Sequence, residues 1–193
     1  MKPFLIEGLK FDFRIYVLVT CANPLKIFIY KDGLARFATE PYRKPCRENR
    51  NNLFMHLTNY SINKHSKKYI YNNEDPLLNN NHVAHKRSMK AIFKYLSNQE
   101  HNTKQLWERI KDIIIKTMCV VQPYISHNYK TCQPWDNFKT CCFEVLGFDV
   151  IIDENLKPWL LEVNYTPSFR TDSQLDKTVK FNLLQDTFQI VNP

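Results

Sequence analysis

Glycine is scarce in this 193-residue chain, which contains three glycines and ten prolines. The positions Gly8, Gly33 and Gly147 are too far apart to write a G-x-G-x-x-G dinucleotide loop or a G-x-x-x-x-G-K-[ST] phosphate loop. Both of these glycine-rich nucleotide-binding loops are therefore excluded. Any nucleotide that the chain binds must be held by other groups.

Long apolar runs and paired cysteine motifs are absent as well. No apolar run approaches the roughly 18 residues that a membrane span requires, so no membrane span is expected. The six cysteines form no C-x-x-C pair and no zinc-ligand spacing with the six histidines. We interpret them as reduced thiols of a cytoplasmic protein.

Positive charge is in excess, with 27 Lys and Arg against 19 Asp and Glu and a net charge of +8. This excess predicts attraction to a polyanion, which could be nucleic acid, an anionic membrane or an acidic protein tail. The charge alone does not choose among the three. A hydrophobic content of 44% and this length are typical of one globular domain with its own core.

Hydrophobic spacing predicts an α+β fold, with an antiparallel sheet and flanking helices. Lys31-Asp32-Gly33 is expected to form a turn, and Pro123 is expected to end a helix. Polar stretches at 40–52, 72–82 and 126–140 are expected to be loops. In chain order, the predicted elements are strands at 10–19, 25–30 and 34–38, helices at 89–96 and 106–118, buried strands at 142–152 and 159–163, and a C-terminal helix.

The last predicted hairpin carries the most chemical information. A turn centred between Asn155 and Leu156 places Asp149 directly opposite Glu162, and Asn164 then lies on the same face because strand side chains alternate. Two carboxylates so close together would repel unless a cation lay between them. Two carboxylates and an amide suit Mg²⁺, which also takes phosphate oxygens and water. The alternative is an exposed hairpin whose Asp and Glu face solvent.

The first predicted strand has a charged face made of Lys10, Asp12 and Arg14. Such a face could bind a nucleotide, with the cations on phosphate oxygens and the carboxylate on a ribose hydroxyl. It could equally be a solvated face of alternating charge. Arg36 is a lone cation in an apolar strand, and either an internal salt bridge or a substrate carboxylate would satisfy it.

Two further polar segments have a structural and a functional interpretation. The stretch from His56 to Lys64 is rich in hydrogen-bonding side chains without a regular period, so it is expected to be a structured loop that caps a helix or contacts a ligand. Lys86 and Arg87, expected at the start of the first long helix, form either a solvated helix end or an anion site.

The motifs together resemble the tubulin-tyrosine-ligase-like family, and its polyglutamylase branch more than tubulin tyrosine ligase itself. The resemblance covers almost the whole chain, in order and in spacing. Members are ATP-grasp ligases, so the resemblance implies an ATP-grasp-like antiparallel sheet. The motifs are Lys10-Phe-Asp-Phe-Arg, His56-Leu-Thr-Asn-Tyr-Ser-Ile-Asn-Lys, Gly147-Phe-Asp, Leu160-Leu-Glu-Val-Asn, and Pro-Ser-Phe-x-Thr-Asp-Ser at 167–173.

The resemblance also implies roles for the residues that match the family motifs. ATP is expected to contact Lys10, Asp12, Thr58 and Asn59, while Arg14 faces the reacting phosphate. The incoming amino acid is expected on Arg36, with Tyr60, Ser61 and either Lys64 or Lys86 nearby. Asp149, Glu162 and Asn164 match the family's Mg²⁺ ligands.

The activity that the resemblance implies is ATP-dependent protein polyglutamylation. Phosphoryl transfer from ATP to a glutamate side-chain carboxylate in a tubulin tail gives an acyl phosphate, which the amine of free glutamate attacks. Tubulin tails and microtubules are the expected partners, and the microtubule cytoskeleton, with the cilium or basal body, is the expected location. A catalytically incomplete tubulin-binding or microtubule-binding unit of the same fold is the alternative. Nucleic acid is not an expected partner, because no RRM or KH signature is present.

Residues 1–193 resemble the C-terminal portion of the family's ATP-grasp domain, which begins upstream of the Lys-Phe-Asp motif. The N-terminal lobes, with further phosphate-binding lysines and the adenine hinge, are expected to be missing. Phe4, Phe11 and Phe13 would then be exposed. Tyr165 stands where some elongating members carry His, which leaves initiation and elongation both open.

Overall fold

The computed structural model describes residues 2–72, 84–135 and 142–192. An antiparallel sheet with helices on both faces forms the domain, which confirms the predicted α+β class. Most of the loop expected at 72–82 lies outside the described residues. The strands are β1 (Leu5–Ile6), β2 (Leu9–Ala22), β3 (Leu25–Phe37), β4 (Lys86–Ser88), β5 (Glu144–Ile152) and β6 (Pro158–Asn164). The helices are α1 (Leu53–His56), α2 (Tyr60–Asn63), α3 (Met89–Asn98), α4 (Thr103–Cys132) and α5 (Gln174–Val191).

The main core lies between the sheet and two long helices. The strand order is β4-β3-β2-β5-β6, with β1 beside β2. The apolar side of β2, including Phe11 and Phe13, packs against α3 and α4 through residues such as Leu96 and Ile110. Both phenylalanines are fully buried, so the expectation that they would be exposed is wrong. The two helices provide the cover that an upstream lobe was expected to supply.

The opposite face of the sheet is divided between a small apolar cluster and a polar region. Tyr16 and Leu34 pack under α5, against Leu175, Val179 and Leu183. The charged residues of β2 precede Tyr16 on the same face, because strand side chains repeat every two residues. Helix α5 thus covers one end of this face and leaves the charged end for the site.

Helix α4 continues through Pro123, where the sequence predicted its end. Residues 126–132, expected to be a loop, are therefore helical. Proline removes one backbone hydrogen bond, to the carbonyl four residues earlier, and that carbonyl belongs to the exposed Cys119. Water can satisfy it, because this half of α4 is solvated, with Val120 and Tyr124 strongly exposed.

Two predictions around β3 are wrong. Residues 31–33 do not turn, because Asp32 accepts hydrogen bonds from the backbone N–H groups of Gly33 (2.8 Å) and Lys90 (3.2 Å) within a continuous strand. Glycine is required at position 33, since a Cβ there would overlap the carbonyl oxygen of Arg14. Lys86 is not in a helix but in β4, opposite Arg36.

The terminal hairpin has the predicted register where it matters for the site. Asp149 lies opposite Glu162, and Gly147 lies opposite Asn164. A bulge between Asp149 and Val150 then shifts the pairs nearer the turn by one residue. The expectation that β6 is buried is wrong. It forms an edge of the described sheet and exposes its apolar side chains, namely Trp159, Leu160, Leu161 and Val163.

Two expectations about the chain as a whole can be compared with the described residues. Each cysteine in the described part is free, as expected of reduced thiols. Over the same residues, no helix combines the length and the apolar character that crossing a membrane would take.

Candidate functional site

A cleft of about 320 Å³ opens on the charged end of the sheet face. Its walls come from β2, β3, α2 with its flanking residues, β4, the end of β6, the segment that leads into α5, and α5 itself. The cleft brings together residues that the sequence analysis took from five separate segments: Arg14, Arg36, Asn59, Tyr60, Ser61, Lys64, Lys86 and Asn164. The remaining lining residues are Tyr16, Leu34, Ser168, Arg170, Asp172, Asp176 and Lys180.

Arg14 and Arg36 line the floor of the cleft, and they are held by two buried carboxylates outside the lining, those of Asp12 and Asp149. Arg14 makes a bidentate pair with Asp149, with Nη2 2.9 Å from Oδ2. Arg36 makes a bidentate pair with Asp12, with Nε 2.9 Å from Oδ1, and also lies 2.7 Å from Asp149 Oδ2. The sheet register explains both pairs, since Asp12 is the cross-strand partner of Arg36 and Arg14 is that of Asp149.

Arg14 and Arg36 determine the charge state of the buried Asp149 carboxyl beside them. Burial acts to raise the pKa of Asp149, but Arg14 and Arg36 outweigh burial and hold that pKa below its ordinary value. Burial acts to lower the pKa of Arg36, and the carboxylates of Asp12 and Asp149 raise it instead. The network thus keeps opposite charges side by side in a buried place, and Arg36 has the internal salt bridge that the sequence left open.

A second ion-pair network, missed by the sequence analysis, lies on the α5 side of the cleft. Asp176 is fully buried, and its carboxylate forms ion pairs with Lys86 Nζ at 2.7 Å and Lys180 Nζ at 3.2 Å. Its own position is fixed by Ser173, whose Oγ donates to Asp176 at 2.9 Å and accepts from its N–H at 3.1 Å. The signal was present as Ser-x-x-Asp at a helix start, which is close to a capping box.

Lys86 is held between this carboxylate and an aromatic ring. Its Nζ lies 3.8 Å from the centroid of the Tyr60 ring. Burial lowers the pKa of Lys86, and Asp176 partly offsets that effect. Burial, together with the charges of Asp172 and other neighbours, raises the pKa of Tyr60 to about 12. At neutral pH the phenol of Tyr60 is therefore protonated.

The segment from His56 to Lys64 both caps a helix and lines the cleft. Asn59 caps α2, because its Oδ1 accepts from the backbone N–H of Ser61 at 3.0 Å. The segment is not a plain loop, since α1 ends and α2 lies within it. Asn63 is fully buried and structural, with its Oδ1 accepting from the Thr39 N–H at 3.1 Å.

Three of the residues expected to contact ATP lie outside the cleft lining. Lys10 Nζ donates to the carbonyl of His56 at 2.6 Å, which links β2 to α1. Burial lowers the pKa of Lys10, and nearby Asp12 partly counteracts this. Asp12 is buried beneath the lining in the arginine network, and Thr58 is buried in the segment next to α2.

The residues expected to hold Mg²⁺ differ in how many hydrogen bonds and ion pairs their side-chain oxygens already make. Glu162 is exposed, and its Oε1 accepts from Asn164 Nδ2 at 3.0 Å. Both oxygens of Asp149 already accept from guanidinium groups. In the described part of the chain, no group of three His, Cys, Asp or Glu side chains is arranged to hold a metal. The protein therefore offers few side-chain oxygens here without a partner, and a Mg²⁺ ion at this place would take most of its ligands from phosphate and water.

Charge is the main chemical property of the cleft. Six of its lining side chains are cationic, and two are carboxylates. Asp12 and Asp149, which pair with the two arginines, bring the carboxylates to four. The remaining excess of two positive charges favours an anionic ligand that carries phosphate or carboxylate groups. The lining cations are Arg14, Arg36, Lys64, Lys86, Arg170 and Lys180, and the lining carboxylates are Asp172 and Asp176.

Comparison with known proteins gives the class to which this fold and cleft belong. The profile of the Tubulin-tyrosine ligase family matches residues 1–193. The chain belongs to that family, which confirms the resemblance drawn from its motifs.

Several similar proteins are named tubulin polyglutamylases. The human protein named tubulin polyglutamylase TTLL6 is 51% identical over 191 residues, which are 99% of this chain and 20% of that protein. A probable beta-tubulin polyglutamylase of Tetrahymena thermophila is 48% identical, over 99% of this chain and 16% of its own length. Mouse tubulin polyglutamylase TTLL13 is 49% identical, over 99% and 23% respectively. The chain thus spans about a fifth of the length of these relatives.

The Asp149→Asn substitution tests the floor network. It leaves two buried guanidinium groups facing a neutral amide, and we expect it to lower the free energy of unfolding by about 3 kcal/mol at pH 7. Because the pKa of Asp149 is depressed in the folded state, its stabilisation is present above the ordinary Asp pKa near 4 and is lost as the pH falls. Urea unfolding should therefore show the difference shrinking below pH 4. Asp112→Asn, which breaks the exposed pair with Lys116, is the control and should change stability by less than about 1 kcal/mol.

The Asp176→Asn substitution tests the second network. Asp176 raises the pKa of Lys86 against the effect of burial, so its loss should lower that pKa further. NMR titration of the Lys86 side chain measures the change. Asp172→Asn is the matched control, and its effect should be smaller because Asp172 contributes less to the pKa of Lys86. An unchanged Lys86 titration in Asp176→Asn would contradict the pairing.

Proposed function

We propose that the chain forms part of an ATP-dependent ligase that adds glutamate to glutamate side chains of tubulin tails. The observation that carries the proposal is the electropositive cleft, whose lining includes residues of several motifs shared with the family. The relatives named tubulin polyglutamylases support the choice of tubulin. The proposal treats residues 1–193 as the C-terminal portion of an ATP-grasp domain, acting on microtubules in the cytoplasm, the cilium or the basal body.

The chemistry of the proposal is transfer of a phosphoryl group followed by amide formation. The acceptor carboxylate takes the terminal phosphoryl group of ATP, and the amine of free glutamate displaces phosphate from the resulting acyl phosphate. Arg14 stabilises the negative charge that develops during transfer. The family resemblance assigns Lys10, Asp12, Thr58 and Asn59 to the nucleotide; Asn59 lines the cleft, whereas the other three lie outside its lining. Held by Asp149, Glu162 and Asn164, Mg²⁺ would neutralise phosphate charge.

The ion pairs of the cleft distinguish the three cations that the resemblance places near the free glutamate, which are Arg36, Lys64 and Lys86. Lys86 is matched by Asp176, and Arg36 is matched by Asp12 and Asp149. Lys64 has no carboxylate partner among the described residues and lies 5.8 Å from the ring centroid of Tyr60. An exposed, unmatched ammonium at the rim can take a substrate carboxylate without breaking an internal pair. We assign Lys64 to that contact, with Arg36, Tyr60, Ser61 and Lys86 around it.

Glutamate incorporation into tubulin tests the proposed function. Because the proposal treats residues 1–193 as one portion of the ATP-grasp domain, the full-length protein that contains them is purified and incubated with tubulin, ATP, Mg²⁺ and isotopically labelled glutamate, and the tails are analysed by mass spectrometry. The expected result is label in branched glutamate chains, dependent on ATP. Cosedimentation with microtubules without incorporation would overturn the ligase and favour the catalytically incomplete tubulin-binding unit.

The Lys64→Ala substitution tests the proposed glutamate contact. Loss of one charge-assisted hydrogen bond should raise the KM for glutamate roughly tenfold or more. The KM for ATP and the thermal stability should stay near those of the parent, because Lys64 is exposed. Lys94→Ala, which removes an exposed lysine on α3, is the matched control. An unchanged KM for glutamate would remove Lys64 from the site.

A further inference from the structure

Most of the chain's excess charge comes from one short stretch outside the floor of the cleft. Residues 41–72 carry seven Lys and Arg and one acidic residue, Glu48, in a chain of net charge +8. All seven cations are exposed. We call them the basic ridge: Arg43, Lys44, Arg47, Arg50, Lys64, Lys67 and Lys68.

The basic ridge consists of two segments, 43–50 and 64–68, which hydrogen bonds and an ion pair connect. In the first segment, Asn49 Nδ2 donates to the Lys44 carbonyl at 3.0 Å, and Asn49 Oδ1 accepts from the Cys46 N–H at 2.8 Å. Asn52 follows this segment, and its N–H donates to the Asn49 carbonyl at 2.9 Å. Its side chain donates to Glu40 at 2.7 Å, and Glu40 pairs with Lys68 of the second segment at 3.4 Å. These contacts bring the second segment, at Lys68, next to residues that flank the first.

Few internal carboxylates neutralise this surface. Lys68 pairs with Glu40, whereas the other six cations have no salt-bridge partner within the described residues. A surface of one sign repels itself and concentrates field on an approaching anion. Lys64 belongs to both the ridge and the cleft lining, so the positive surface leads directly into the cleft.

We propose that the basic ridge is a docking surface for an extended acidic polypeptide, which it holds while one of its side chains enters the cleft. The acidic partner rests on the proposed function, whereas the surface rests on charge and placement. The two ridge segments, at 43–50 and 64–68, contain no Phe, Tyr or Trp. The flanking rings of Tyr42 and Tyr69 are half-buried and pack against His56 and His85. Single-stranded nucleic acid is usually held by aromatic side chains that stack on bases, so the composition favours a row of carboxylates over nucleic acid.

Charge reversal with a matched control tests the ridge. The probe is a fluorescein-labelled peptide of ten glutamates, and binding is followed by fluorescence anisotropy. Arg43→Glu/Arg47→Glu should weaken binding roughly tenfold relative to Lys94→Glu/Lys104→Glu, which makes the same change in net charge at exposed positions on α3 and α4. Raising the salt concentration should remove most of the difference. Equal weakening in both variants would overturn the ridge as a specific surface.

Two further measurements separate this inference from the proposed function. If the peptide binds as expected but no variant incorporates glutamate into tubulin, the ridge stands and the ligase is overturned. If incorporation proceeds with the same KM for tubulin in the ridge and control variants, the ligase stands and the ridge is overturned. A single-stranded oligothymidine that displaces the glutamate peptide at lower concentration than unlabelled peptide does would overturn the acidic-polypeptide assignment in favour of nucleic acid.

Discussion

Arg36 lies between two buried carboxylates, and the site depends on that arrangement. Asp12, Arg36, Asp149 and Arg14 come from three neighbouring strands, and each charge is balanced by an opposite one from the strand beside it. Buried charges are tolerated when they are paired in this way, and removal of one partner leaves the others costly. The register of β2 against β3 and β5 is therefore fixed by charge as well as by the apolar face beneath.

The sequence allowed part of this site to be predicted. Alternation along β2 placed Lys10, Asp12 and Arg14 on one face, and the turn of the last hairpin placed Asp149 opposite Glu162. These are short-range relations that strand periodicity determines. The pairing of Arg14 with Asp149 joins residues 135 positions apart, and no local pattern encodes which strands become neighbours.

The errors have similar physical causes. Pro123 was expected to end a helix, but its missing hydrogen bond lies on a solvated part of α4. Lys86 precedes a helical pattern in the sequence, yet it lies in a strand because its backbone pairs with that of Arg36. Its ammonium group forms an ion pair with the buried Asp176. In each case the secondary structure is determined by solvent or by a residue distant in sequence, and the local propensity of the residue contains no information on either.

The position of β6 at an edge of the described sheet has a consequence for ligand binding. Glu162 and Asn164 lie on this strand, and in the described sheet the ladder with β5 is what holds them in place. Edge strands open locally at a lower free energy than central ones, and a ligand that binds the closed form opposes such opening by mass action. A ligand in the cleft should therefore slow amide hydrogen exchange along β6. Because only the closed form of β6 binds, the equilibrium between the closed and the locally opened strand enters the observed binding constant.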